Sequence, residues 1–258
     1  MINRIPSFWP ALGVLVLGGC QTAPTAPSGF LTSYEGLSVP GRSLRAAVTQ
    51  RRDDQVSDTI DRVSITPAVF VDGVGGGLSP ADRHALLAEV DRQICFEISE
   101  RFTVVPAADP EAAIIRTAIV RIDTTNPIAS SVSAAVGIFN PLPVKLRMPG
   151  MIGGLAIESE MVTPDTNEQI AAIAWGRDAN AIGSDSPSLS RIGDAHQFAE
   201  PMGDAVGDAF ATETREVRKI SDPDPCAQHG SRRNLRGALV GMATGLHVPE
   251  ARQDRAPQ

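Results

Sequence analysis

The feature that most constrains this chain is a short apolar run near its N-terminus, which ends at Leu17-Gly18-Gly19-Cys20. Arg4 precedes the run, and the residues from Trp9 to Leu17 form its uncharged core. A helix needs about 20 apolar residues to cross a bilayer, so this core is too short to span one. A positive residue, a short apolar core and small residues before a cleavage site are typical of a secretory signal peptide. We therefore expect residues 1–19 to be removed and the remaining chain to fold outside the cytoplasm.

The four residues Leu17-Gly18-Gly19-Cys20 resemble the lipobox of bacterial lipoproteins. The resemblance implies that the Cys20 thiol carries a diacylglycerol and that the chain is cut before Cys20. It also implies that the new amine is acylated by a fatty acid such as palmitate. Two or three acyl chains anchor a protein stably, whereas one gives only marginal binding. The alternative is an ordinary signal peptide with an incidental cysteine. Gln21 stands where many inner-membrane lipoproteins have Asp, which favours the outer membrane, facing the periplasm.

Composition limits the classes of partner that the chain can bind. The formal net charge is −7, and loss of Arg4 makes the mature chain one unit more acidic, which argues against binding to nucleic acid because that affinity depends on Lys and Arg. A hydrophobic content of 42% with only 4% aromatic residues predicts one domain with an aliphatic core. We divide the chain into a signal peptide (1–19), a lipidated Cys20 with a flexible tether (20–28), a domain (29–219) and a C-terminal part (220–258) that comprises a linker, a short helix and a loose tail.

The first part of the domain contains a docking segment and then an exposed connection. Phe30, Leu31, Tyr34 and Leu37 follow one another at roughly helical spacing and predict a turn that docks on the domain. Residues 41–61 alternate basic and acidic side chains without an apolar period, so we interpret them as an exposed connection.

The rest of the domain alternates between strand and helix patterns. A β-branched strand over Val63–Val71 precedes a helix that Ser79 caps and Pro80 begins, with an apolar stripe formed by Leu86, Leu87, Val90, Ile94, Ile98 and Phe102. Further strands are predicted at 103–105 and 113–123, the second with Arg116 and Arg121 on opposite faces. A hairpin follows over 155–163 and 169–177, and then a last helix with a stripe formed by Phe198, Met202, Ala205, Val206, Ala209 and Phe210. This order predicts an α+β fold: a mainly antiparallel sheet with two helices packed on one face.

Two additions extend this core. Residues 127–155 form an apolar insert in which Lys145 and Arg147 are the charged residues, and so long an apolar segment is expected to pack on the domain or to face a partner. Residues 235–248 predict a short C-terminal helix with Gly237, Gly241 and Gly245, for which docking on the domain is favoured over a lipid or partner contact.

Three segments together resemble a known family. They are Ser28-Gly29-Phe30-Leu31 followed by Tyr34, the strand and helix block over 63–105, and the hairpin from Glu158 and Glu160 through Arg177. Over residues 28–215 the chain resembles the bacterial lipoproteins grouped as domain of unknown function 3313. The resemblance implies an envelope lipoprotein of undefined activity and supplies no catalytic residues.

Candidate sites for chemistry are weak. The loop Gly73–Gly77 lies between a strand and a helix N-terminus, but the third glycine of a dinucleotide fingerprint would fall at Leu78, so we interpret the loop as a mobile linker. Asp222, Asp224, Cys226 and His229 carry metal-ligand chemistry at a spacing unlike known zinc sites. Glu158 and Glu160 share a strand face, where a solvated pair is favoured over an acid–base pair. The four histidines, His84, His196, His229 and His247, stand apart from any hydrolase motif. We therefore predict no catalytic residue, cofactor or metal.

The last sequence prediction is a disulfide between Cys95 and Cys226. Once Cys20 is acylated, these two are the remaining thiols, and the exported compartment is oxidising. The alternative is a buried free Cys95 with an exposed Cys226.

Taken together, these features favour a lipid-anchored, non-enzymatic envelope protein that binds or scaffolds an envelope protein partner. The alternative is an envelope hydrolase whose site forms only in the fold. A deep cleft with converging Glu158, Glu160 or His196 would favour the hydrolase.

Overall fold

A computed structural model of the chain describes residues 25–40, 45–125, 145–146, 153–179, 182–183, 188 and 190–232. Cys20, nearly all of the insert 127–155 and the predicted C-terminal helix lie outside these ranges. The helices of the described part are α1 (Asp54–Thr59), α2 (Pro80–Ser99) and α3 (Gly193–Phe210), with a 3-10 turn at Ala227–His229. The strands are β1 (Ala47–Arg52), β2 (Arg62–Ile65), β3 (Val69–Phe70), β4 (Thr103–Val104), β5 (Ala113–Asp123), β6 (Lys145–Leu146), β7 (Gly154–Val162), β8 (Gln169–Asp178) and β9 (Ile182–Gly183).

The fold is α+β, as expected, and its main sheet is mixed. Seven strands lie in the order β1-β8-β7-β5-β2-β4, with β3 also paired to β5, and β6 pairs with β9 in a separate ribbon. The pairs β1·β8, β7·β8 and β5·β7 are antiparallel, whereas β2 and β3 run parallel to β5 and β4 runs parallel to β2. The sequence did not predict this parallel part. It arises because α2 carries the chain back across the sheet between β3 and β4, and such a crossover leaves the strands that it joins parallel.

The interpretation of residues 41–61 as an exposed connection is wrong. β1 pairs with β8 along its whole length, and Asp53 caps α1 by accepting a hydrogen bond from the Val56 amide. Arg52 donates to the carbonyl groups of residues 208, 209 and 211, at the end of α3. β1 is an edge strand whose residues are all half-buried, so an alternation of apolar and polar residues is missing from its sequence.

Two strand predictions also need correction. The strand predicted over 63–71 is divided into β2 and β3, because Pro67 between them has no N–H to donate to the sheet. Arg116 and Arg121 do not lie on opposite faces. The register of β5 against β7 shifts between Ile119 and Arg121, and this irregularity puts both arginines on the face that carries Glu158.

The helices α2 and α3 form where the sequence predicts them, whereas α1 was not predicted. Ser79 accepts a hydrogen bond from the Asp82 amide at the start of α2, with Pro80 in the first turn. Pro201 lies inside α3. The core combines the apolar stripes of α2 and α3 with alternate residues of three strands, such as Ile115, Ile157 and Ile173.

None of the helices in the described residues combines the length and hydropathy that a bilayer crossing requires.

Candidate functional site

The side chains of β7 alternate between the core and the other face of the sheet. Ile157 and Met161 lie in the core, so Glu158 and Glu160 point to the opposite face. On that face Glu158 has Ala118 and Ala174 as its cross-strand neighbours, while Arg116 and Ala172 flank Glu160. Because the alanines are short, the two carboxylates stand where another segment of the chain can lie flat against the sheet.

Residues 28–34 occupy this place, and we call them, together with Glu158 and Glu160, the anchor clasp. One carboxylate oxygen of Glu158 accepts from the Ser28 amide at 3.0 Å. The other oxygen accepts from the Ser28 hydroxyl and from the Tyr34 hydroxyl, each at 2.6 Å. Glu158 is only 1% exposed. Two hydroxyls and a backbone amide therefore replace the water that a carboxylate requires.

Glu160 holds the middle of the same segment. Its carboxylate accepts from the Thr32 amide at 2.9 Å and from the Thr32 hydroxyl at 3.1 Å. Arg116 pairs with the same carboxylate at 2.6 Å and also donates to the Thr32 hydroxyl at 2.7 Å. Gln169 donates to Glu160 at 2.6 Å and to the Ser33 carbonyl at 3.0 Å. Glu160 is thus buried with both a countercharge and hydrogen-bond donors, which is the condition under which a buried charge is stable.

The segment is also shaped by its own contacts. The Tyr34 hydroxyl accepts from the amides of Gly29 at 2.8 Å and Leu31 at 3.3 Å, and Leu31 is 5% exposed. Gly29 has a φ of +88°, a conformation that favours glycine. The segment docks on the domain, as expected, through bends and a turn.

The clasp overturns the interpretation of Glu158 and Glu160 as a solvated pair. Both are buried, and all four of their carboxylate oxygens accept hydrogen bonds from the chain. A general base must have an oxygen within reach of a substrate proton. The geometry therefore gives these two residues a structural role in holding the N-terminal segment. The sequence showed them on one face, but it carried no signal that residues 28–34 would cover that face.

The glycine loop Gly73–Gly77 is a series of turns joined to α2. Arg83 donates to the Val74 carbonyl at 3.0 Å and lies over the Phe70 ring at 4.2 Å. Gly75, with a φ of +69°, sits against both of these side chains, so a Cβ there would be strained and crowded. These internal contacts explain the glycine without a phosphate.

A hydrolase site would bring His196 together with Glu158 or Glu160, but His196 contacts other residues. Its Nε2 is 3.5 Å from a carboxylate oxygen of Glu89, which also pairs with Arg92 at 2.6 Å. Glu89 and Arg92 belong to α2 and His196 belongs to α3, and the apolar stripes of both helices share the core with Ile157 and Met161. His196 therefore does not converge with Glu158 or Glu160.

The predicted disulfide is present. Cys95 and Cys226 are bonded, with Cα atoms 5.8 Å apart, and both are buried. Cys226 is therefore unavailable as a metal thiolate. Asp224 instead accepts two hydrogen bonds from Arg232 at 3.0 Å, and Arg232 lies over the Phe96 ring at 4.4 Å. The hydrogen bonds from Arg232 hold the pKa of Asp224 below its ordinary value.

The described residues contain no group of three or more His, Cys, Asp or Glu side chains placed to hold a metal ion. This finding agrees with the use of Cys226 and Asp224 in structural contacts.

A comparison with protein families finds a match over most of the chain. The model described as "Protein of unknown function (DUF3313)" matches residues 26–206. The matched range begins just before the anchor clasp and ends inside α3.

A comparison with solved structures finds PelC dodecamers from Paraburkholderia phytofirmans. One has 9% sequence identity and a TM-score of 0.38, covering 65% of this chain and 99% of that chain. A PelC variant dodecamer has 8% identity and the same TM-score, covering 66% of this chain and 99% of that chain. No curated protein matches this chain.

Proposed function

This chain belongs to the DUF3313 family, whose function is unknown, and from that premise we propose that it is a lipid-anchored envelope protein. In this proposal Cys20 carries the lipid and the domain faces the periplasm from the outer membrane. The domain acts as a binding or scaffolding module for another envelope protein, without catalysis. The observation that carries the proposal is the anchor clasp, which fixes the chain to the sheet shortly after Cys20.

The clasp lies close to Cys20 in the sequence, which limits the distance between the lipid and the sheet. Ser28 follows Cys20 by eight residues, and an extended chain covers at most about 3.6 Å per residue. The acyl chains on Cys20 would therefore stay within about 29 Å of Ser28. Because Ser28 and Thr32 are bonded to buried carboxylates, the membrane would lie near the clasp face of the sheet. A domain held in this way presents a defined surface to a neighbour in the envelope, which is what a scaffold requires.

The rest of the domain fits this arrangement. We propose that α2 and α3 together cover the face of the sheet opposite the clasp. The contact of α3 with β7 and β8, and the core shared by both helices, support this placement. In the sequence, the insert 127–155 lies between β5 and β7, and its last two residues belong to β7. Its sequence, with two charges, makes it the segment that we propose for the partner contact.

Two observations weigh against the hydrolase alternative. Glu158 and Glu160 hold the clasp, and His196 lies with Glu89 between the helices. We therefore favour the binding module.

The anchor is tested first. Membranes from the native cells should contain the chain with a diacylglycerol-modified Cys20 at its N-terminus, as seen by mass spectrometry of the mature protein. Cys20→Ala should release the domain from the membrane fraction. An unmodified N-terminus, or unchanged membrane association of Cys20→Ala, would contradict the anchor.

The role of the clasp is tested by crosslinking in intact cells. The wild-type chain should crosslink to a defined envelope protein that mass spectrometry identifies. In a Glu158→Ala/Glu160→Ala variant the lipid should remain, but the crosslinks should become weaker and more varied because the domain is no longer oriented. Glu168→Gln, an exposed change in the β7–β8 turn, is the matched control. An unchanged crosslinking pattern in the clasp variant would overturn the orienting role.

A further inference from the structure

A cleft of about 420 Å³ lies between the edge of the sheet and the C-terminal part of the chain. We call it the strap cleft, because residues 222–232 form one wall as a strap tied to α2 by the disulfide. The other walls come from the end of β2, the chain around β4 and α2. Its lining residues are Ile65, Thr66, Pro67, Asp91, Cys95, Val104, Val105, Pro106, Ala107, Pro225, Gln228 and His229.

Asp91 is the carboxylate of this cleft. One of its oxygens accepts from the Ala68 amide at 2.7 Å, which ties α2 to the chain between β2 and β3. Neither Lys nor Arg lines the cleft. Among the described residues, no Lys, Arg or His pairs with Asp91 in a salt bridge. Burial raises the pKa of Asp91, and the hydrogen bond from Ala68 opposes this rise only in part. Within the part of the chain that the structure describes, the cleft thus holds a partly buried carboxylate with no cation in a salt bridge to it.

The walls around Asp91 are mostly apolar. Ile65 and Val104 contribute aliphatic side chains, and prolines at positions 67, 106 and 225 contribute rigid ones. Ligand sites of small molecules are typically of 300–1,000 Å³, mostly apolar, with a few polar groups that fix orientation. The volume of the strap cleft falls within this range, and eight of its twelve lining residues are apolar.

We propose that the strap cleft binds a primary ammonium group on an apolar stem, with the ammonium at Asp91 and the stem along the prolines. A cation supplies the positive countercharge that the Asp91 carboxylate lacks among the described residues. A charge-assisted hydrogen bond to a carboxylate is also stronger than a neutral one. An aliphatic stem gains by leaving water for the apolar walls. This chemistry has two sources, a lysine side chain of a partner protein and a free polyamine. The proposal is independent of the lipid anchor and of the clasp.

The disulfide holds the wall that the strap forms in a fixed position. Cys95 lines the cleft and is bonded to Cys226, next to the lining residue Pro225. Arg232 adds hydrogen bonds to Ser99 at 2.8 Å and to the Phe96 carbonyl at 3.2 Å, both on α2. The wall that the strap supplies is therefore held in position before any ligand arrives, which lowers the ordering cost of binding.

The experiment compares two probes of equal shape. n-Hexylammonium and n-hexanol are titrated into the purified mature domain and followed by NMR. We expect hexylammonium to bind about tenfold more tightly or better, since the ammonium adds an ion pair with the Asp91 carboxylate to the hydrogen bond that a hydroxyl can also donate. Asp91→Asn should abolish this preference while it keeps an acceptor for the Ala68 amide. Glu168→Gln should leave the preference unchanged.

The following outcomes would overturn the proposal or identify the source of the ammonium group. Equal binding of the two probes, or a preference that survives Asp91→Asn, overturns the proposal. If Asp91→Asn does not fold, the ¹³C carboxyl resonance of Asp91 in the wild-type domain decides: it must shift on addition of hexylammonium, and an unchanged resonance overturns the proposal. Nα-acetyl-lysine methylamide and spermidine then distinguish the sources, since the tighter ligand identifies a lysine side chain or a free polyamine.

Discussion

At the scale of single residues, Glu158 and Glu160 are neighbours on one face with different means of stabilisation. Glu160 has Arg116 as a countercharge. Glu158 is instead surrounded by hydrogen-bond donors of the clasp, the Ser28 amide and the hydroxyls of Ser28 and Tyr34. Its burial therefore depends on residues 28–34 being docked, and docking of the segment in turn depends on Glu158.

This dependence predicts the effect of Glu158→Gln. The glutamine side chain keeps one acceptor oxygen but has an NH₂ donor in place of the other. This donor would face either the Ser28 amide or the hydroxyls of Ser28 and Tyr34, which already donate to Glu158. We expect docking of residues 28–34 to weaken by about 1–3 kcal/mol, the cost of mismatched partners at a buried polar group. Hydrogen exchange at the amides of Gly29 and Leu31 should become correspondingly faster, while exchange in α2 should not change. Exchange rates equal to those of the Glu168→Gln control would contradict the clasp.

Asp204 predicts a dependence of stability on pH. Partial desolvation of the exposed Asp204 side chain, together with the neighbouring carboxylates of Glu97, Glu200 and Asp208, raises the pKa of Asp204 to about 6. Arg101, which pairs with Glu97 and Asp208, is the cation of this cluster. The folded state holds the Asp204 proton at a pH where the unfolded chain has released it. The contribution of Asp204 to stability therefore falls as the pH rises from about 4 to about 6.

Asp204→Asn removes this penalty. We expect the variant to melt at a higher temperature than the wild type at pH 7, by about 1–2 °C, a small shift because the side chain is exposed and its charge is screened. At pH 4 the two proteins should melt at nearly the same temperature. A variant that is equally or less stable at pH 7 would show that the ionised Asp204 carboxylate does not destabilise the folded state.

At the scale of elements, α2 and α3 pack closely because α3 carries glycines where it faces α2. A Cβ at Gly203 would lie 3.0 Å from the backbone carbonyl oxygen of Gln93. At Gly207 the nearest atom would instead be the guanidinium of Arg101, at 2.9 Å. Backbone atoms of a helix cannot move alone, whereas the end of an arginine side chain can.

This contrast predicts opposite results for two matched substitutions. Gly203→Ala should reduce the free energy of unfolding by about 1–3 kcal/mol through overpacking, although alanine favours a helix by about 1 kcal/mol over glycine. Gly207→Ala should be close to neutral or stabilising, because Arg101 can shift. Urea unfolding of the two variants measures the difference. A stabilising Gly203→Ala would mean that the two helices are free to separate.

At the scale of the whole molecule, the two ends of the described chain are each tied to the domain. The N-terminal end is held by the clasp, through hydrogen bonds to β7. The C-terminal end is held by the disulfide, with Arg232 as a second attachment to α2. One attachment depends on buried carboxylates and the other on a covalent bond, so they respond to different conditions.

The disulfide predicts the stability of the oxidised chain. It links residues separated by 131 positions, for which the chain-entropy model gives at most about 5 kcal/mol. We expect Cys95→Ala/Cys226→Ala to lose about 2–4 kcal/mol, because removal of native disulfides typically has this effect. Circular dichroism should show an intact sheet, and hydrogen exchange should rise in residues 222–232. An unchanged urea midpoint would contradict a stabilising role.

The family match and the sequence resemblance agree on this domain. Most of its individual elements could be predicted from the sequence. α2, α3, β5 and the β7–β8 hairpin formed where the patterns placed them, because a helical stripe or a β-branched run needs only its neighbours in sequence. The disulfide could also be predicted, because an exported chain with two remaining thiols tends to pair them.

What the tertiary structure decided is which surfaces meet. The strand β1 lacks an apolar alternation, so only its pairing with β8 shows that it is a strand. The burial of Glu158 and Glu160 depends on a segment about 130 residues away in the sequence, and the strap cleft joins residues from four separate parts of the chain. Local patterns report how a segment folds against water, but a buried charge or a cleft is created by distant segments whose meeting no local pattern records.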